Sequence, residues 1–142
     1  MKNFFTLPNP FETDCNITVE ILSGGKNKIK SSISSGTATF DIDIKLKCNV
    51  EAVQSKADYS LSQNADMLEK YIEYFLISEM KNFMTRVQKE YDADILKFGN
   101  KAAHNFLTVS DWENYNWRDK YKDAKINFNV NLNIENIANT LP

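Results

Sequence analysis

Few residues in this 142-residue chain have types and spacings that could do chemistry, and they are scattered. His104 is the one histidine. With no HExxH or CxxC spacing, a zinc site would have to gather carboxylates and thiols from distant positions. Nucleophilic catalysis would need the same His104, and no GxSxG elbow accompanies it. A histidine on a helix surface is the simpler reading. Asp92 with Asp94, and Asp41 with Asp43, have the spacing of acid/base pairs, yet capping accounts for the first pair and a solvated strand face for the second. Gly24 and Gly25 make a turn rather than a phosphate cradle, because neither GxGxxG nor a Lys-Ser/Thr sequel is present. Cys15 and Cys48 read as small buried apolar residues, with a bridge between them open in an extracytoplasmic domain. Trp112, Tyr115, Trp117 and Tyr121 suit either an aromatic recess for a small ligand or the closure of a core. The expectation is therefore no catalytic residue, no cofactor and no metal site.

The elements that must position these residues are plainer. Leu68, Ile72, Phe75, Leu76, Phe83, Val87 and Tyr91 recur at steps of three and four. They predict a long amphipathic helix over residues 64–91, with Glu69, Lys70, Glu73, Lys81, Arg86 and Lys89 on its other side. Ser60 or Asn64 would start it. Ala38, Phe40, Ile42, Ile44, Leu46, Cys48 and Val50 alternate with polar residues, which predicts a half-buried strand about as long as the helix. A second alternation, Ile126, Phe128, Val130, Leu132 and Ile134, predicts the last strand. Residues 17–22 and 26–34 read as a hairpin reversed at Gly24 and Gly25, its second arm a basic edge. Asp94 would cap a helix running to about Phe106, and Ser110 would open a short one by a capping box with Glu113. Residues 1–14, with Pro8 and Pro10, read as an irregular lead-in.

With 42% hydrophobic and 12% aromatic residues the chain can build one core, so a single domain over residues 1–142 is expected. A formal charge of -2 points away from nucleic acid. No apolar run approaches the roughly 20 residues of a membrane span, so the chain itself reads as soluble. The predicted class is α+β: a twisted antiparallel sheet of about four strands, a long amphipathic helix on one face and shorter helices at its end. The other face stays polar. It carries Asp41, Asp43, Lys45 and Lys47 on one strand and Asn127, Asn129, Asn131 and Asn133 on the other, and it is the candidate interaction face.

From Val87 through Tyr91, Asp94 and Phe98 to Gly99, and on to Trp112, Trp117 and a terminal alternating strand, the sequence resembles the C-terminal domain of the spore germination lipoprotein family. These are the C subunits of nutrient germinant receptors. Tyr91, Asp94, Phe98, Gly99, Trp112 and Trp117 carry the likeness as structural motif residues. The resemblance implies a C-terminal fragment of a larger lipoprotein, held by an N-terminal lipid on the outer face of the spore inner membrane. Its partners would be the integral membrane A and B subunits and other domains of the same lipoprotein. It implies a non-enzymatic interaction domain in nutrient-triggered germination; the alternative is a nutrient-binding domain that uses the aromatic recess.

Overall fold

A computed structural model describes residues 3–9, 12, 14–53 and 62–138. The elements in order are β1 (Asn3–Pro8), β2 (Asn16–Ser23), β3 (Lys28–Ser34), β4 (Thr37–Val53), α1 (Ser62–Lys89), α2 (Phe98–Ala103), α3 (Val109–Tyr115), α4 (Trp117–Lys120), a 3-10 turn (Tyr121–Asp123) and β5 (Lys125–Ile137). The sheet has the order β1-β2-β4-β3, with β5 also paired to β4. The α+β class, a sheet with antiparallel pairing and the long helix are as the residue patterns predict. The Ser60 helix start lies outside the described residues.

The chain divides into two compact units. The first contains Met1–Lys26, Ile44–Leu76 and Val130–Pro142. Its core joins Leu7, Ile17, Val19, Ile21, Cys48, Val50 and Val53 of the strands to Leu68 and Ile72 of α1 and Leu132 of β5. Residues 3–8 are therefore a strand and not an irregular lead-in; β1 is an outer strand ending on Pro8, where a missing N–H is tolerated. The alternation along β4 reverses phase after Val50. Val19 pairs with Val50 but Thr18 with Ala52, so Glu51 is the extra residue of a bulge that turns Val53 back into the core.

The second unit contains Asn27–Asp43 and Ile77–Asn129. Ala38, Phe40 and Ile42 of β4 are buried there with Met84 and Val87 of α1, Phe98, Ala102, Tyr121 and Ala124. Phe83 and Tyr91, expected on the buried side of the helix, are exposed instead. Met84, about 100° further round, takes the core position, and α1 ends before Tyr91.

The predicted reversal at Gly24 and Gly25 does not occur. β2 and β3 both pair antiparallel with β4, so they run in the same direction. The hairpin turn is Ser35 and Gly36, both at positive φ (51° and 78°), the conformation a two-residue turn between twisted strands requires. Gly24 serves close approach: its N–H donates to Lys45 O at 2.9 Å, and a Cβ there would stand 2.9 Å from the Leu46 backbone.

Candidate functional site

Most of the motif residues converge within the second unit. After α1 the chain turns through Asp92 (φ 46°) and Lys97 (φ 57°) and enters α2 at Phe98. The Asp94 carboxylate lies over the start of α2. Its Oδ1 accepts the Phe98 N–H at 2.7 Å, and its Oδ2 accepts both the Gly99 N–H at 2.7 Å and the Trp117 Nε1–H at 3.0 Å. Asp94 thus satisfies orphan amides of the helix as expected, but from four residues before Phe98 and not as an adjacent cap, and α2 is shorter than predicted, ending at Ala103. Gly99 is required by proximity. A Cβ on it would fall 2.6 Å from Trp117 Nε1 and 3.2 Å from Asp94 Oδ2.

Trp117 is held by rings as well. Its centroid is 5.9 Å from Phe40 and 5.5 Å from Tyr121, and Phe40 lies 4.9 Å from Phe98. Trp112 joins through Trp117 at 6.1 Å and stacks on Tyr115 at 6.2 Å. Tyr91 is exposed, and no ring pair among the described residues ties it to this cluster. The cluster therefore unites Asp94, Phe98, Gly99, Trp112 and Trp117.

Two contributors, Gln88 and Thr108, were missed in the sequence, whereas Tyr121 was named there among the aromatic residues. Tyr121 is 2% exposed, and its hydroxyl lacks a hydrogen-bond partner among the described residues. Burial, then the Asp94 and Asp92 charges, push its pKa up to about 12. Buried Gln88 donates to both Tyr121 O and Ala124 O at 3.0 Å, which holds the turn into β5. Thr108, rather than Ser110, caps α3 by accepting the Asp111 N–H at 3.0 Å. A polar residue beside Val87 on the core side of α1 was the available signal for Gln88.

An open recess of about 200 Å³ is lined by Ala103, Phe106, Leu107, Thr108, Val109 and Trp112. It includes neither Trp117, Tyr115 nor Tyr121. His104 is exposed just beyond α2. Cys15 and Cys48 are not bridged to each other, and burial, followed by the Glu69 and Glu51 charges, pushes the Cys48 thiol up to about 12.

On the candidate interaction face, Asn127 and Asn129 of β5 lie beside Asp41 and Asp43 of β4. Asn127 Nδ2 donates to Asp41 Oδ1 at 2.9 Å and Asn129 Nδ2 to Asp43 Oδ1 at 3.2 Å. In the first unit Lys47 pairs with Glu135 at 2.6 Å, and Asn136 Nδ2 donates to Asn49 Oδ1 at 3.2 Å. Residue numbers rise together along both strands in each unit, so β5 runs beside β4 in the same direction. Lys45, Asn131 and Asn133 are exposed.

The spore germination B3/GerAC-like, C-terminal family model matches residues 1–138, and the chain belongs to this family. The fold is similar to that in the crystal structure of the GerBC protein, with a TM-score of 0.72 and 22% identity over 95% of this chain. The chain spans 41% of that protein's length. Among curated proteins none matches. No helix among the described residues is long and apolar enough to cross a membrane.

Proposed function

We propose that this chain is a non-enzymatic interaction domain of the C subunit of a spore germinant receptor, acting in nutrient-triggered germination. Family membership across residues 1–138 supports the receptor assignment. The observation that carries the interaction role is the cross-strand bonding of the polar face. Asp41 and Asp43 already hold asparagine amides, and Lys47 already holds Glu135. A partner covering such a surface leaves each carboxylate with a donor, which lowers the desolvation cost. The partners are the integral membrane A and B subunits and other domains of the same lipoprotein, at the outer face of the spore inner membrane. Co-purification of the full-length lipoprotein with its membrane subunits tests the reading: deleting this domain is expected to reduce recovery of those subunits, and undiminished recovery contradicts it.

A second reading, capture of a nutrient at the aromatic end, draws on the recess beside Phe106 and Trp112. Its volume of about 200 Å³ falls below the usual range of ligand sites, roughly 300 to 1,000 Å³. Titration with single amino acids and sugars, monitored by Trp fluorescence, separates the two readings.

A further inference from the structure

A strand at the margin of a sheet offers unpaired N–H and C=O groups to any passing strand, and natural proteins blunt such edges. Two of the outer strands among the described residues are blunted here. β3 carries exposed Lys28 and Lys30. On β5 two backbone amides are taken by side chains of α1: Leu132 N–H donates to Glu73 Oε1 at 3.0 Å, and Ile134 N–H to Glu69 Oε2 at 3.1 Å. These glutamates, expected on the solvent side of the helix, are instead the seal of a sheet edge.

β1 carries such a device only at its end, where Pro8 lacks an N–H and its carbonyl accepts from Tyr71 of α1; residues 3–7 carry none. Asn3–Pro8 contains no charged residue and pairs, among the described residues, only with β2. Phe4 and Phe5 are 51% and 45% exposed and, as neighbours on a strand, point to opposite faces. The flank of α1 beside β1 also carries large exposed apolar side chains, next to exposed Lys70. Tyr71 Oη donates to Pro8 O at 3.0 Å, which ties that flank to the strand. Met67 and Tyr74, four residues before Tyr71 and three after it, share the flank and are 52% and 75% exposed.

We infer that the outer edge of β1 is a strand-addition site, which takes an extended segment of a partner polypeptide with apolar side chains at alternate positions. The backbone of that segment pairs with the strand up to Leu7, since Pro8 has no N–H and its carbonyl is taken by Tyr71, and one row of its side chains covers Phe5 and the flank of Met67, Tyr71 and Tyr74. The hydrogen-bonding groups specify the occupant: another strand matches them, whereas a helix or a lipid surface leaves them unpaired. The two phenylalanines agree, since only a partner in the plane of the sheet reaches both faces at once. The site shares no residue with the polar face of β4 and β5, so either can fail without the other.

The test is amide hydrogen exchange on the chain with and without a synthetic peptide of alternating Val and Thr, flanked by lysines. The expected result is exchange slowed by about tenfold or more at alternate amides of β1, with tenfold corresponding to about 1.4 kcal/mol. Methylating alternate backbone nitrogens of the peptide abolishes the effect, because it removes the ladder donors and leaves the side chains in place. Phe4→Lys, on an exposed position, is expected to weaken binding while leaving the melting temperature nearly unchanged. Absence of binding, protection elsewhere, or equal binding of the methylated peptide overturns the inference. Protection of β1 that grows with protein concentration and needs no peptide also overturns it, and assigns the edge to a second copy of this chain.

Discussion

Asp94 and Trp117, 23 residues apart in sequence, meet through a 3.0 Å hydrogen bond from the indole Nε1–H to the carboxylate Oδ2. The same oxygen accepts the Gly99 N–H, and its twin accepts that of Phe98. One side chain thus joins the end of the α1 turn, the start of α2 and the start of α4.

An ordinary helix cap tolerates Asn in place of Asp. Asp94 faces three donors, and an amide would turn its own NH₂ toward at least one of them. Asp94→Ala is expected to lower stability by about 2 to 4 kcal/mol in urea denaturation, and Asp94→Asn by a substantial share of that. An Asn variant as stable as the parent would reduce Asp94 to a simple cap.

Gly99→Ala places a methyl group where the Trp117 indole sits. Overpacking of this kind costs about 1 to 3 kcal/mol. The near-ultraviolet dichroism of Trp117 is expected to change together with stability; an unchanged spectrum and midpoint would show that the contact relaxes freely.

Tyr121 titrates near 12 in the fold against an ordinary value near 10, because burial and then the Asp94 and Asp92 charges oppose the phenolate. Between these values the folded chain holds a proton that the unfolded chain has lost. This contribution to stability is therefore intact below pH 10 and is lost as pH rises toward 12. Tyr121→Phe removes the dependence and also a buried hydroxyl without a partner among the described residues, so the variant is expected to be at least as stable at pH 7 and to resist alkaline unfolding better. Identical alkaline unfolding of the two proteins would contradict the assignment.

The period-two pattern from Ala38 to Val50 made β4 legible in the sequence, because every second residue there faces a core. What the pattern could not show was the bulge at Glu51, which depends on pairing with Thr18 and Val19 in another strand. The turn was misplaced for a similar reason. Gly24 and Gly25 look like a stronger turn than Ser35 and Gly36, but the Leu46 backbone beside Gly24 accounts for its lack of a side chain. On α1 the polar face was legible in outline only; Glu69 and Glu73 have no sign in their own spacing that two amides of β5 await them. Resemblance singled out Asp94, Gly99 and Trp117 as separate motif residues. That they form one hydrogen-bonded junction needed the tertiary structure.

The central claim, that the polar face of β4 and β5 is where the receptor assembles, is tested most directly by Asn129→Lys combined with Asn131→Glu in the full-length lipoprotein in spores. Both positions are exposed, so the melting temperature of the domain is expected to stay nearly unchanged, with a stability change within about 0.5 kcal/mol. Recovery of the lipoprotein with its membrane subunits, and nutrient-triggered germination, are expected to fall. Normal assembly and germination at normal protein levels would contradict the account and leave the helical side as the next surface to test.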